Sequence, residues 1–148
     1  PKKDLALFVA GRPCTAAGVF TTNLVCGAPV KISRQRLPRS TARAVVINSG
    51  NSNACTGEQG LADACAMTAA VAKEIGSSAD DVLVASTGVI GRFLPMDRIA
   101  AGIAKAAGAL DTSPQALHDA ATAMMTTDTF PKLAMRELTF KGRTVRVS

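Results

Sequence analysis

Three stretches of the sequence place Thr, Asn or Asp side chains at the end of a predicted strand or helix, where functional residues are often found. They read NSGNSNACTG (48–57), ASTGVIG (85–91) and MMTTDTFPK (124–132). The second stretch ends an apolar run that stops abruptly at Thr87 and Gly88. Small polar groups at that point could serve chemistry, but no nucleophile–base pair surrounds them. A reaction there would need a nucleophile from outside this chain.

Each stretch also has a purely structural interpretation. Asn, Ser and Gly in the first stretch favour a tight loop of side-chain-to-backbone hydrogen bonds, with Thr56 capping the helix that follows. In the second, Gly88 and Gly91 supply unusual backbone angles for a strand-to-helix turn, and taken alone this outweighs a lone TGxxG signal. The third reads equally well as a ligand site or as a helix C terminus that ends before Pro131.

Several kinds of catalytic and metal site are excluded by residue counts. His118 is the only histidine, and its place beside an apolar helical stripe fits a surface or boundary position. A histidine at such a position would not serve Ser-His-Asp or Cys-His catalysis, and a single histidine argues against a zinc enzyme, so we expect no metal. No GxxxxGK[ST] phosphate loop is present. Four cysteines show no metal spacing, so we expect reduced thiols without a catalytic role in a cytoplasmic protein: Cys14, Cys26, Cys55 and Cys65.

Composition favours one domain, residues 1–148, that binds neither nucleic acid nor membrane. The formal net charge is +6, but the basic residues are scattered, and there is no Trp or Tyr to form a stacking platform. The densest basic segment, residues 31–43, contains a proline and is predicted to be a solvated loop. No apolar run is long enough for a membrane span, and the N terminus has no apolar secretory segment.

The apolar residues are mostly small, so we expect another chain to complete part of the core. Hydrophobic residues make up 47% of the sequence but aromatic residues only 3%. The sequence also lacks an initiator Met, which indicates processing or a piece of a longer protein.

Residue patterns predict nine elements in the order ββ β α β α α ββ. Strands are expected at 5–10 and 17–25, separated by a turn at 11–13, and at 42–50. Periodic apolar residues predict a helix over 61–75 that stops at Gly76, followed by a buried strand over 81–88.

Two further helices are expected, one from Pro95 carrying Ile99, Ile103, Ala106 and Leu110 on one face, and one capped by Ser113. The tail predicts a hairpin that turns at 141–143. Together these elements indicate an α/β fold, a layered α+β sandwich with mixed sheets.

Four motifs in order resemble the ornithine acetyltransferases of arginine biosynthesis, also called glutamate N-acetyltransferases. They are AAGVFTTN…APV (16–30), ARAVVINSGNSNACTG (42–57), VASTGVIGRFLPM (84–96) and MMTTDTFPK (124–132). The resemblance covers nearly the whole chain and is to the α chain of that family. It implies a precursor that cleaves itself at an Ala-Thr bond, leaving an N-terminal Thr nucleophile on the β chain.

The resemblance also assigns roles to residues of this chain. The Thr87 hydroxyl and the Gly88 backbone N–H would form an oxyanion hole, and Thr126 would contact the substrate. We add Asp128 as a weaker inference, as a partner for the ornithine ammonium group. Lys132 could contact a carboxylate or cap the preceding helix.

The implied reaction transfers acetyl from N-acetylornithine to glutamate, with no cofactor, although some family members also use acetyl-CoA. The implied assembly is α2β2, and this chain should be inactive without its β chain. Two alternatives stay open. One is an N-terminal-nucleophile aminopeptidase or amidohydrolase of similar fold, and the other is a basic binding module without catalysis.

Overall fold

A computed structural model describes residues 3–147 of the chain. These residues form five strands, four α-helices and one short 3₁₀ helix (Ala79–Asp81). The strands and helices are β1 (Leu5–Ala16), α1 (Ala28–Arg36), β2 (Arg39–Asn48), α2 (Gly57–Ile75), β3 (Val82–Ser86), α3 (Met96–Gly108), α4 (Pro114–Ala123), β4 (Arg136–Phe140) and β5 (Arg143–Val147).

A mixed three-stranded sheet has the order β1-β2-β3 and confirms the predicted α/β class. β1 runs antiparallel to β2, whereas β2 and β3 are parallel and joined through α2. The core lies between one face of this sheet and the helices. Its fully buried side chains include Met67, Val71 and Ile103 from helices and Val46 and Val82 from strands. Burying such aliphatic side chains contributes about 1.5–3 kcal/mol each.

The opposite face of the sheet is apolar but only partly covered. Phe8 pairs with Val45, and Val45 pairs with Leu83, so these three side chains form a row across the sheet. All three are half-buried, in contrast to the fully buried Val46 on the helical side. An antiparallel or mixed sheet with two apolar faces normally has a further layer against each.

The first strand differs from its prediction. β1 does not stop at residues 11–13 but continues to Ala16, and those residues form a bulge opposite β2. The register shows this directly, since Val9 pairs with Ala44 and Cys14 with Ala42. The strand predicted over 17–25 is absent, and that segment has no regular structure. Its β-branched residues favour a strand, but within residues 3–147 no neighbouring strand pairs with it.

The basic segment at 31–43 was wrongly predicted as a solvated loop. Residues up to Arg36 belong to α1, and β2 begins at Arg39. α1 starts with Pro29 in its first turn and buries Ile32 and Ser33. The Ser33 hydroxyl donates to the Val84 carbonyl at 2.9 Å and accepts from the Val84 N–H at 3.1 Å. Tertiary packing on β3 thus stabilises a helix whose local sequence signal is weak.

The predicted helix ends are largely confirmed. Gly76 adopts the left-handed conformation and its N–H bonds the Ala72 carbonyl, which ends α2. The Ser113 side chain accepts the Ala116 N–H at the start of α4. Ile99 and Ile103 are buried on α3 as expected, but Leu110 lies beyond the helix and is 45% exposed.

The predicted C-terminal hairpin is confirmed as β4 and β5, which pair antiparallel with each other and form a separate two-stranded sheet. Lys141 and Gly142 both have positive φ at its turn. Every residue of both strands is exposed. Two-stranded hairpins are marginal alone in water, so this one depends on additional contacts for its stability.

Candidate active site

The turn that follows β3 is fixed by backbone hydrogen bonds to the end of β2. The Thr87 N–H donates to the Asn48 carbonyl at 3.0 Å, and the Val89 N–H donates to the Gly50 carbonyl at 3.0 Å. Between them, the Gly88 N–H has no hydrogen-bond partner among residues 3–147, and neither does the Thr87 hydroxyl. Thr87 is half-buried and Gly88 is exposed. The backbone of the turn is therefore held in place, and two donors on consecutive residues are available to a ligand.

Glycine is required at position 88 for two independent reasons. Its φ is +130°, a conformation that residues with a side chain rarely adopt. A Cβ atom there would also lie 2.3 Å from both the carbonyl carbon and the oxygen of Gly50. Backbone of the β2 loop therefore presses directly on the turn. The local sequence accounts for the positive φ, but only the folded chain shows the close approach of Gly50.

Asn48 joins three segments at this point. It is 4% exposed, its Nδ2 donates to the Asn51 carbonyl at 2.7 Å, and its Oδ1 accepts from the Ser86 hydroxyl. Its backbone carbonyl accepts the Thr87 N–H described above. One buried amide thus ties the end of β2 to the end of β3 and to its own loop. Parallel strands bring Asn48 and Ser86 into register, which is why both polar side chains meet here.

Sequence reasoning missed Asn48 as a positioning residue because its partners are distant along the chain. The Asn-Ser-Gly step after a β-branched run was interpreted only as turn chemistry. The parallel pairing of β2 with β3 is needed to see that Ser86 lies beside Asn48. The only sequence signal for this contact was weak: each of two apolar runs ends in polar residues.

The remainder of the first stretch forms the predicted loop of side-chain hydrogen bonds. Asn53 is 1% exposed, its Nδ2 donates to the Gly60 carbonyl at 2.8 Å, and its own carbonyl accepts the Ala28 N–H at 3.1 Å. Thr56 precedes α2, but its side chain does not cap the helix. It donates to Asn53 Oδ1 at 2.6 Å instead. The loop therefore has a structural role and orients α1 against α2.

Thr126 lies three residues beyond the end of α4. The loop at residues 48–57 anchors that end of the helix. The Ser49 hydroxyl donates to the Ala123 carbonyl at 2.7 Å, and Ser49 is buried. Thr126 itself is half-buried. Within residues 3–147, no hydrogen bond joins Thr126 to Thr87 or Gly88. The structure thus ties the end of α4 to the first stretch, but no hydrogen bond among residues 3–147 links Thr126 to the turn.

Asp128 and Lys132, which are four residues apart in the chain, form an ion pair with each other. The hydrogen bond and charge of Lys132 lower the pKa of the Asp128 carboxyl, and the Thr126 backbone N–H acts in the same direction. Both side chains are solvent-exposed. The suggestion that Lys132 caps the preceding helix is wrong, because its ammonium group binds Asp128.

Two open cavities lie on either side of the loop that contains Asn51. The first, of about 260 Å³, is bounded by Phe20, Pro29, Val30, Asn53 and Ser86. The second, of about 340 Å³, is bounded mainly by residues 48–51, Arg98 and Ile99. The first cavity thus borders the last residue of β3, directly before Thr87.

Three arginines of the basic segment at 31–43 are bonded to groups of this chain. Arg34 donates to the Thr21 carbonyl, Arg39 is paired with Asp81, and Arg36 contacts both Asp80 and the Val82 carbonyl. Among residues 3–147, no three potential metal ligands cluster, and no helix is both long and apolar enough to cross a bilayer. The cysteines are free, and His118 is exposed.

Known proteins resemble this chain in sequence over its full length. The sequence model of the ArgJ family matches residues 1–148. The arginine biosynthesis bifunctional protein ArgJ of Symbiobacterium thermophilum is 55% identical over 99% of this chain, and that of Nitratidesulfovibrio vulgaris is 50% identical over 99%. The aligned part is 36% and 37% of those proteins, so the chain spans about a third of the length of its curated relatives.

Two crystal structures share the fold. The arginine biosynthesis bifunctional protein ArgJ from Bacillus halodurans superposes with a TM-score of 0.91 at 38% identity, over 99% of this chain and 76% of that one. The ornithine acetyltransferase of Mycobacterium tuberculosis, solved with ornithine, gives 0.85 at 40% identity over 97% and 77%.

The mixed sheet and the helices packed on it therefore have the α/β fold of these two solved proteins. The chain belongs to the ArgJ family, which confirms the resemblance of its four motifs.

Proposed function

We propose that this chain supplies the oxyanion hole of an arginine-biosynthesis enzyme that transfers acetyl from N-acetylornithine to glutamate. The observation that carries the proposal is the pair of free donors at the turn. The N–H groups of Thr87 and Val89 are bonded to Asn48 at the end of β2 and to Gly50 in the loop that follows, whereas the Gly88 N–H and the Thr87 hydroxyl have no partner among residues 3–147. Donors fixed before the reaction stabilise developing charge without reorganising, and each is worth about 100- to 1,000-fold in rate.

The nucleophile in this proposal is an N-terminal threonine on a second chain. Its own α-amine, with an ordinary pKa of about 7.7–8.0, takes the hydroxyl proton as the oxygen attacks the acetyl carbonyl. The tetrahedral oxyanion accepts hydrogen bonds from Gly88 and Thr87. Collapse breaks the C–N bond, passes the proton to the leaving ornithine amine and leaves an acetyl-threonine ester. The glutamate amine then attacks that ester through the same steps and carries the acetyl group away.

Chain lengths among the relatives support a split precursor. The same 148 residues cover about three quarters of each solved chain but about a third of each curated protein. The solved chains are therefore about half as long as the curated proteins, as expected if each precursor is cut into two chains. The half-buried row of Phe8, Val45 and Leu83 supports the same idea, since a β chain would complete that side of the sheet.

Substrate recognition by this chain rests on Thr126. Its hydroxyl can both donate and accept, which suits an amino-acid ligand. Asp128 is a weaker candidate for the ornithine ammonium group than the sequence suggested, because Lys132 already binds its carboxylate. An incoming ammonium would have to displace that lysine. The absence of a cofactor, the α2β2 assembly and a cytoplasmic location stay predictions, and acetyl-CoA is a further acetyl donor to assay.

One experiment separates the transferase from a hydrolase of similar fold. The full-length enzyme, expressed from its natural gene, is incubated with N-acetylornithine without glutamate, and the intact masses and terminal sequences of its chains are measured. We expect a chain that begins with Thr and gains one acetyl group, and N-acetylglutamate only when glutamate is added. Steady release of acetate without glutamate would establish the hydrolase instead. An uncleaved, unacetylated protein would contradict the mechanism altogether.

A further inference from the structure

Residues 17–25, hereafter the 17–25 segment, combine a strand-like sequence with an exposed and irregular conformation. The segment reads AGVFTTNLV, and β-branched and aromatic residues of this kind are enriched in strands. It nevertheless forms no regular element. Val19 is 99% exposed, Leu24 96% and Val25 75%, so three apolar side chains lie almost entirely in solvent.

The segment is held in place despite this exposure. Arg34 donates to the Thr21 carbonyl at 2.6 Å, and its guanidinium lies 5.6 Å from the centre of the Phe20 ring. The Asn23 side chain accepts the Val25 N–H at 2.9 Å, which makes a local turn. A fixed group of exposed apolar side chains is typical of a surface that another molecule covers.

The backbone at the start of the segment is available for pairing. Within residues 3–147, the N–H and C=O groups of Gly18, Val19 and Phe20 have no backbone partner. The outer edge of β3, by contrast, is closed, because the Ser33 hydroxyl binds both backbone groups of Val84. A strand approaching the cavity beside Ser86 therefore meets paired backbone on β3 and unpaired backbone in the 17–25 segment.

We propose that the 17–25 segment is a docking edge for the β chain, which pairs with the backbone of residues 18–20 and covers Val19, Leu24 and Val25. This inference rests on the proposed two-chain enzyme and adds the surface through which the chains meet. Phe20 borders the same cavity as Ser86, so the edge leads to the turn at which the partner's threonine must arrive. Strand addition of this kind uses main-chain bonds for affinity and alternate side-chain pockets for specificity.

The β chain is a better occupant than a second copy of this chain. About two thirds of the length of the curated relatives lies outside the region that this chain matches. A second copy would bring together two chains that each carry a net charge of +6, which opposes association. The site also lacks a nucleophile without the remainder of the enzyme, and the cavity bounded by Phe20 and Ser86 places the 17–25 segment beside the approach to the turn.

The test is hydrogen exchange in the full-length enzyme, followed by mass spectrometry. We expect the amides of residues 18–20 to exchange as slowly as those of β2, because both would be strand-paired. Exchange at the rate of an unstructured peptide would overturn the proposal. This measurement needs no substitution, so it stays informative if a variant fails to fold.

A substitution series gives a second, independent readout. Leu24→Asp should weaken association of the two chains by about 10- to 100-fold in native mass spectrometry over a dilution series, since an apolar contact is lost and a charge is buried. Leu110→Asp is the control, because Leu110 is also an exposed leucine but lies outside the 17–25 segment. Equal effects of the two variants, or none at position 24, would contradict the docking edge. If the amides of residues 18–20 are protected but the enzyme transfers no acetyl group, only the proposed reaction is refuted. If these amides exchange rapidly in an active enzyme, only the docking edge is refuted.

Discussion

The two regions that the family resemblance joins into one site differ sharply in how this chain holds them. The turn at Thr87 and Gly88 is bonded to the end of β2 on both sides of its free donor, and the buried Asn48 side chain supports it. Thr126 lies three residues beyond Ala123, the last residue of α4, whose carbonyl is bonded to Ser49, and the next four residues of the chain are exposed. In the proposed enzyme, the chain would thus preorganise the charge-stabilising half of the site and leave the substrate-recognising half to additional contacts.

The exposed region continues beyond Thr126 to residue 147. Leu138 and Phe140 on β4 are 58% and 65% exposed, although both have the large apolar side chains of core residues. The turn region instead buries even polar side chains, namely Asn48, Ser49 and Asn53, each with hydrogen-bond partners. Buried, satisfied polar networks rigidify a site. We therefore expect substitutions in the turn to lower kcat and substitutions near Thr126 to raise KM.

The largest expected effect is that of Gly88→Ala. A Cβ would clash with Gly50 at 2.3 Å and the φ of +130° would be strained, so both donors should move. We expect acetyl transfer to fall by about 1,000-fold or more and the free energy of unfolding by about 1–3 kcal/mol. Steady-state kinetics and urea unfolding of the full-length enzyme measure these effects.

Gly108→Ala is the matched control for that variant, because no atom lies within 4 Å of its added Cβ and its φ is not positive. It should keep wild-type activity. Near-normal activity of Gly88→Ala would show that the turn is less rigid than its hydrogen bonds indicate.

The next largest effect is expected for Thr87→Val. Valine nearly keeps the shape of threonine but removes the hydroxyl donor, so we expect kcat to fall by about 100- to 1,000-fold with little change in stability. Thr87→Ser, which keeps the hydroxyl, should retain most of the activity. If the valine and serine variants are equally active, the Thr87 hydroxyl has no part in stabilising the oxyanion.

A substitution at Asn48 tests whether the hydrogen bonds that hold the turn in place affect kcat as much as the donors of the turn do. Asn48→Asp keeps an oxygen for the Ser86 hydroxyl but replaces the donor to the Asn51 carbonyl with a repelling acceptor. Small displacements of catalytic groups cost up to about 100-fold, so we expect kcat to fall by about 10- to 100-fold while KM for N-acetylornithine is unchanged. A change in stability with unaltered kcat would limit Asn48 to a structural role.

The features predicted correctly from the sequence are those fixed by neighbours in the chain. Gly76 ends α2 through its own conformation, Ser113 caps α4 through an N–H three residues away, and the turn at Lys141 and Gly142 closes a hairpin. Ile99 and Ile103 were correctly placed in the core because helical spacing alone puts them on one face.

The failures depend on distant contacts. α1 was missed because its basic sequence is a poor amphipathic signal, and Ser33 and Arg36 are bonded to β3, about fifty residues along the chain. Position 88 could be assigned to the site only by family resemblance, since the approach of Gly50 follows from strand order. The family resemblance did not indicate the role of Asn48 either, and no local sequence pattern indicates its hydrogen bond with Ser86.

Thr126→Ala should have a smaller effect, on binding rather than chemistry. Loss of one hydrogen bond to an amino-acid ligand is worth about 0.5–1.5 kcal/mol, so KM for N-acetylornithine should rise about 2- to 10-fold. Thr127→Ala is the control, since it removes the same group from the adjacent, exposed position. Equal KM values for the two variants would remove Thr126 from the substrate site.

The smallest expected effect compares two carboxylates, one beside the three-stranded sheet and one beyond Thr126. Asp81 accepts hydrogen bonds from Thr41 and Arg39, both at 2.6 Å, and its side chain is only 16% exposed, whereas the Asp128–Lys132 pair lies in solvent. The Thr41 hydrogen bond is the main cause that lowers the pKa of Asp81, partial burial opposes it, and Arg39 lowers the pKa further. Asp81→Asn should therefore reduce the free energy of unfolding by about 1 kcal/mol at pH 7.

The pH dependence of that difference has a defined sign. A carboxyl with a lowered pKa in the folded state stabilises the protein above its unfolded pKa of about 3.9, and this contribution is lost as pH falls through the folded value. The gap between wild type and Asp81→Asn should thus be constant from neutral pH to about pH 5 and close below it. Asp128→Asn should match wild type throughout, because exposed ion pairs contribute little. Urea unfolding of the full-length protein across this pH range measures both, and equal losses for the two variants would mean that the Asp128 segment is as firmly held as the Asp81 site.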